Sequence, residues 1–341
     1  MAPPPSPIRV FSGIQPSGEL HIGNYLGAVQ NWVKLQYERD CLFCIVDLHA
    51  ITQPYEPDTL GPLTVDMAVS LLAAGLDPAR CIVFVQSHVA EHTELNWLLT
   101  TITPLGELER QTQFKDKSQR QESIPAGLLA YPVLQAADVL LYKASLVPVG
   151  EDQVQHLELM REIARRWNAR FGADFFPEPQ PLLTRTRRVL GLDGKAKMSK
   201  SLGNTVGLFD SPETIWGKLR PAATDPARKT RKDPGTPEIC NIFTLHQGFS
   251  PPATVEEVAV KCRTAGWGCL DCKRVLAGNM IAALAPMRER AEALRREPAS
   301  LLERLRDGAG KARALARRTV AEVRDRMGFL EAGAAGGGSE D

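Results

Sequence analysis

The chain has 341 residues, 43% of them hydrophobic, which is enough for roughly two globular domains of about 150 residues each and excludes a disordered or fibrous protein. Forty-one Lys plus Arg against 40 Asp plus Glu give a formal charge of +1, so a charged partner has to be held by local patches. The most apolar stretch, 127–142, is interrupted by Pro132, Gln135 and Asp138 and falls short of a membrane span.

The start, MAPPPSPIRVF, has neither a charged segment ahead of an apolar run nor an Arg-rich amphipathic presequence, which predicts a cytoplasmic protein. Strands are predicted at 9–12, 42–47 and 81–86. They alternate with helical patterns at 22–36, apolar at Ile22, Leu26, Val29 and Val33, and at 59–74. This is the βαβ signature of an α/β fold with a parallel sheet. After Gly106 comes a polar stretch, GELERQTQFKDKSQRQES. A helix-like run at 126–142 and a strand at 146–149 follow, the strand leading directly into GEDQ. Residues 106–145 look like an insertion into a sheet domain spanning 8–208. From Ser211, a plausible N-cap with Pro212 at N1, helical spacing dominates and predicts an all-helical domain over 209–330. The Gly/Ala-rich tail, 331–341, is expected to be disordered.

Two loops carry the chemistry. The first, GIQPSGELHIGN, has three glycines and one proline between a strand and a helix beginning near Gly23. Glycines let backbone approach phosphate, and the helix N-terminus presents free N–H groups; the plainer alternative is an ordinary βα turn. Neither a Walker site nor a dinucleotide fingerprint is present. His21 and Asn24 flank the helix start, where both can donate to phosphate oxygens. The second loop, GKAKMSKSLGN at 194–204, holds three lysines and two serines between glycines. Compact ammonium groups on a movable loop suit a pyrophosphate that is gripped and released, although a short basic run alone is more often a solvated turn.

HIGN at 21–24 and KMSKS at 197–201 resemble the two signature motifs of class I aminoacyl-tRNA synthetases in the spelling of the tryptophanyl enzymes. FSGIQPSG, CIVDLHAIT, GELERQTQFKDKS, AADVLLY and VPVGEDQVQH are likewise similar to bacterial and mitochondrial members, closely over about 9–210 and more weakly through the helical part. The resemblance implies a Rossmann-like catalytic domain, a helical anticodon-binding domain and a homodimer. The implied reaction joins ATP and L-tryptophan into tryptophanyl-adenylate and then charges tRNA(Trp). By the same resemblance, Gln15, Pro16, Ser17, His21, Gly23 and Asn24 lie on ATP and Gly150, Glu151 and Asp152 hold its ribose. Val189 is placed against adenine. Lys197 and Lys200, in a loop with Met198, Ser199 and Ser201, hold the pyrophosphate, with Lys117 as a further phosphate contact and Mg²⁺ carried in with ATP.

Asp138 stands in an otherwise apolar helical run, and an isolated carboxylate there is costly unless paired. The family assigns its donor as the indole N–H. Phe11, His49, Val147 and Val149 would line the indole pocket, with Tyr131 and Gln153 near the amino group. Gln135 departs from the Met of many members. An Asp accepts from a phenol as readily as from an indole, so the choice of tryptophan over tyrosine rests on the motifs.

Seven cysteines are expected as metal ligands or core rather than disulfides. Cys41, Cys44 and Cys81 fall in strands and read as core. Cys240, Cys262, Cys269 and Cys272 have the spacing C-x21-C-x6-C-x2-C, which suits tetrahedral zinc or an iron–sulfur cluster. A subset of bacterial tryptophanyl enzymes carries a 4Fe-4S cluster with closely similar spacing, which favours the cluster here. Basic residues at 228–232 and Lys273–Arg274 are candidate RNA phosphate contacts. Two other readings compete: a small-molecule nucleotidylyltransferase, which would not need the helical domain, and a non-catalytic RNA-binding regulator, which would not need His21, Asn24, Lys197 and Lys200.

Overall fold

The computed structural model describes residues 8–119, 123–150, 153–183 and 189–330, with backbone alone at Lys117 and Leu183. Strands β1 (Arg9–Ile14), β2 (Asp40–Ile45), β3 (Ile82–Val85), β4 (Leu146–Val149) and β5 (Gln180–Leu183) form one parallel sheet in the order β3-β2-β1-β4-β5. Alternate side chains of a strand point to opposite faces, and here both faces are covered. Cys41, Phe43 and Ile45 of β2 enter one core cluster, whereas Leu42 and Cys44 enter the other.

Between β1 and β2 run helix α1 (Ile22–Asn24), a π-helical turn (Tyr25–Val29) and α2 (Gln30–Leu35). Helices α3 (Asp47–Ala50) and α4 (Pro57–Ala74) lead to β3, and α5 (Glu91–Thr100), α6 (Leu105–Glu109), α7 (Thr112–Ser118) and α8 (Ala126–Leu140) lead to β4. Helix α9 (Val154–Phe171) precedes β5. The remainder holds α10 (Pro212–Leu219), α11 (Asn241–Phe249), α12 (Pro252–Arg263), α13 (Cys269–Arg296) and α14 (Pro298–Arg326). The Ser211 hydroxyl caps α10 by accepting from the Thr214 amide at 3.2 Å.

The structure corrects several boundaries. The second strand ends at Ile45 rather than at 47, because the Asp47 carboxylate accepts from the Leu48 amide (3.1 Å) and the Ser87 amide (2.9 Å) and starts a helix. The third strand ends at Val85, and Gln86–His88 is a single 3₁₀ turn. Part of the polar stretch 106–123 is helical, in α6 and α7. Helices α5 and α9 and strand β5 are absent from the sequence reading, α9 because its charged face dilutes the apolar stripe formed by Leu157, Met160, Ile163, Ala164 and Trp167.

The last two helices do not stand apart from the sheet. Helix α13 packs against α4, and α14 packs against β3 and α5. A Cβ on Gly308 of α14 would lie 2.0 Å from the Val83 carbonyl oxygen, so only glycine permits this approach. Arg313 and Arg317 of α14 each place Nε 3.2 Å from the buried Glu91 carboxylate of α5. The tail, 331–341, lies outside the described residues.

Candidate active site and cysteine cavity

Strand order reverses at β1, whose neighbours are β2 on one side and β4 on the other, and the carboxyl ends of such strands are where open α/β sheets place their ligands. The loop after β1 carries Gln15 and Ser17 exposed, Pro16 buried, and Gly18 at φ +85°. His21 is the N-cap of α1. Its Nδ1 accepts from the Asn24 amide, and the Asn24 side-chain oxygen accepts from the His21 amide, each at 3.3 Å. Burial, then the charges of Lys200 and Lys197, lower the His21 pKa to about 4, so the ring is neutral at pH 7 and carries its proton on Nε2.

The second loop is tied to the first. His21 pairs with Gly207 in an antiparallel bridge, and the Ile22 amide donates to the Val206 carbonyl at 2.9 Å. A Cβ on Gly23 would stand 2.9 Å from the His21 imidazole and 3.2 Å from the Met198 Cβ. Met198 is buried, anchoring a loop on which Lys197, Lys200 and Ser201 are exposed. Its amide donates to the carbonyl of buried Val189 at 3.2 Å. The Ser199 amide donates to Asn204 at 2.8 Å, and the Ser199 and Ser201 hydroxyls lie 2.9 Å apart. Lys200 donates to the Ser17 carbonyl oxygen at 2.6 Å, reaching from one signature segment to the other. Gly150 follows β4 and is exposed. Glu151 and Asp152 lie outside the described residues, and Lys117 falls on α7.

On the other side of the sheet ends lies a polar knot. Asp138 of α8 is 2% exposed, and the pairing that such a carboxylate demands is supplied by the protein itself. One oxygen accepts from Gln86 Nε2 (2.6 Å) and His92 Nδ1 (2.7 Å), the other from His49 Nε2 (2.7 Å). Burial alone would raise the Asp138 pKa, but His49 and His92 overcome it and bring the carboxyl to about 2. His49 meets Tyr131 edge-on, ring centroids 6.4 Å apart. The Tyr131 hydroxyl lies 2.9 Å from His156 and 3.1 Å from Gln113. Gln135 donates to Gln153 at 3.4 Å. Phe11 stacks on Tyr142 at 5.6 Å in the cluster that holds Val147, with Val149 packed at its edge. Gln86 and His92 come from outside the residues that the sequence singles out. The one signal for them was the demand of Asp138 for partners.

The four helical-domain cysteines line one cavity, together with Arg228 and Trp267. Burial raises the Cys262 and Cys272 thiols, Cys272 to about 12. Arg228 lies 4.0 Å from the Cys262 sulfur and also donates to the Trp267 carbonyl, so it faces inward. Lys273 is corrected as an RNA contact. It is buried, and its ammonium donates to the Arg220 (2.9 Å) and Ala222 (2.6 Å) carbonyls. Lys229, Arg231 and Lys232 are exposed. Cys41, Cys44 and Cys81 are buried in or beside the sheet, as core.

A strand-order reversal flanked by loops bearing HIGN and KMSKS, with Lys200 of the second on the Ser17 carbonyl of the first, defines a class I synthetase. The family described as "tRNA synthetases class I (W and Y)" matches residues 4–285, and the chain belongs to it. It is 55% identical over 328 residues to the tryptophan–tRNA ligase of Deinococcus radiodurans, covering 95% of this chain and 99% of that one. It is 46% identical to the corresponding ligase of Caldanaerobacter subterraneus, covering 94% and 98%. Among solved structures, the tryptophanyl-tRNA synthetase of Campylobacter jejuni complexed with ADP and tryptophan is similar at 36% identity and TM-score 0.86, covering 94% and 100%. Among the described residues, no helix is long and apolar enough to cross a membrane.

Proposed function

We propose that the chain is a tryptophan–tRNA ligase that forms tryptophanyl-adenylate from ATP and L-tryptophan and transfers the aminoacyl group to tRNA(Trp). The observation that carries this is the bridge joining the His21 segment to the chain directly after the KMSKS loop, with Lys200 of that loop on the Ser17 carbonyl, at the same sheet end as the buried Asp138. Adenylate formation is an in-line displacement at the α-phosphate, for which protein need only orient the carboxylate and stabilise charge. Neutral His21 donates from Nε2 without adding a counter-charge. Gly23 and the Gln15–Ser17 backbone let ATP approach closely, Asn24 lies beside it, and Glu151 and Asp152 with Gly150 take the ribose hydroxyls. Lys197 and Lys200, with Lys117, hold the pyrophosphate of the ATP·Mg²⁺ complex. Lys200 has to leave the Ser17 carbonyl to do so. Asp138 accepts the indole N–H, between Phe11, His49, Gln135, Val147 and Val149, with Tyr131 and Gln153 at the amino group. ATP–pyrophosphate exchange measured with each of the twenty amino acids should proceed with tryptophan alone. Exchange with tyrosine would move the chain to the other half of the family, and no exchange would leave the RNA-binding regulator.

Residues 209–330 act as the anticodon-binding part, with Lys229, Arg231 and Lys232 toward RNA phosphates, and the enzyme works in the cytoplasm as a homodimer. Trp97 and Leu105, both exposed, support a second copy as their cover. On their spacing and their shared cavity, the four cysteines are assigned a 4Fe-4S cluster. A cavity bordered by four thiols, with the Arg228 guanidinium beside one sulfur, suits a negatively charged thiolate-bound group. Such a cluster would supply cross-links between the helices that Cys240, Cys262, Cys269 and Cys272 start or end. Anaerobically purified protein should be brown with iron and sulfide present. Cys269→Ser or Cys272→Ser should abolish the colour and weaken tRNA aminoacylation while leaving exchange largely intact; a colourless protein with one zinc per chain would replace the cluster by the ion.

A further inference from the structure

The donors around Asp138 impose a direction on the whole knot. A carboxylate can only accept, so His49 presents Nε2–H, Gln86 presents its amide and His92 presents Nδ1–H. On its far side His92 Nε2 lies 2.8 Å from the Tyr142 hydroxyl, which anchors the ring. Tyr142 is 1% exposed, and burial pushes its pKa far up, so the hydroxyl stays protonated and neutral beside the ring. His92 is completely buried, with its ring 5.5 Å from that of Tyr142. The Gln86 carbonyl oxygen is occupied by the Leu48 amide at 3.1 Å, which fixes the flip of that amide too. A carboxylate has about four acceptor positions. Three are taken here, two on Oδ1 and one on Oδ2, so a single position remains, on Oδ2.

We propose that His92, anchored by Tyr142, is a positioning residue for amino-acid selection: it holds Asp138 so that one acceptor position is offered to the substrate ring, which must bring a donor. The proposal deepens the assignment of Asp138 as the indole acceptor and rests on it. A ring without a donor would leave that buried position unsatisfied, the situation in which hydrogen-bonding sites discriminate most strongly.

The test is ATP–pyrophosphate exchange with tryptophan and with 3-benzothienylalanine, in which sulfur replaces the ring N–H at nearly the same shape. The wild-type chain should prefer tryptophan in kcat/KM by on the order of 100-fold or more. His92→Leu should cut that preference at least about tenfold, through the KM for tryptophan rather than kcat. His92→Asn, whose amide can stand where Nδ1–H stands, should keep the preference within about threefold, and Tyr142→Phe should fall between the two. A His92→Leu enzyme that loses both activities in proportion, with the preference unchanged, would show a merely structural histidine and overturn the proposal. Tyr142→Phe, which removes one oxygen atom, gives the same decision should His92→Leu fail to fold. A wild-type preference near one would instead overturn the indole role of Asp138 itself.

Discussion

His21 couples the ATP site to the pH dependence of the fold. Its pKa is about 4 in the folded chain against 6.5 unperturbed, through burial first and then Lys200 and Lys197. Between those values the unfolded chain binds a proton that the folded chain does not, so stability falls as pH drops from about 6.5 to about 4, by up to about 1.4 kcal/mol per pH unit from this residue. Urea unfolding of His21→Gln across that window should show a slope reduced by about this amount; an unchanged slope would mean that the imidazole is not held neutral. Asp138 acts in the same sense but in a lower window, its contribution being lost only as pH falls from 3.8 toward 2. Asp138→Ala should lower tryptophan-dependent exchange by several hundred-fold, on the order of 3 to 4 kcal/mol, because three buried donors and the substrate all lose their acceptor; near-native exchange would contradict its role. The sequence marks Asp138 through its apolar neighbours. It does not mark His92 or Gln86, which lie 46 and 52 residues away and whose use is decided by the sheet order.

The loops show how much of an element its residue pattern conveys. GIQPSGELHIGN reads directly as a close-approach turn, because Gly18 adopts φ +85° and Gly23 leaves no room for a side chain. The KMSKS loop reads as basic and mobile, but nothing in its spelling shows that Met198 is buried or that Lys200 rests on the Ser17 carbonyl. That contact has a kinetic meaning. An ammonium that must exchange a carbonyl for phosphate oxygens acts mainly as charge develops, so Lys200→Ala should depress kcat for adenylate formation more than it raises the KM for tryptophan. Steady-state exchange kinetics decide the matter, and a pure KM effect would remove the transition-state role. Strand β5 is hidden in the sequence for a simpler reason. Gln180–Leu183 is four residues with one proline, too short for a period of two to emerge.

For the whole molecule, the alternation of strand and helix patterns was enough to give the α/β class, since parallel strands buried on both faces need continuous apolar runs. The contact of the last helix with the first half of the chain was not legible, because it depends on one glycine, Gly308, meeting one carbonyl, Val83. That contact also sets a timetable for synthesis. β3 is an edge strand, and α14 is the element laid against it. A ribosome adding 5–20 residues per second delivers Gly308 roughly 10 to 45 s after Val83, and through that interval the strand's outward hydrogen-bonding groups await their cover, as exposed edges that recruit other chains do. A chain ending at Glu297 should therefore accumulate as aggregates on expression, and separately supplied α14 peptide should restore part of the soluble yield. Recovery of the shortened chain as soluble, monodisperse protein would show that the edge protects itself.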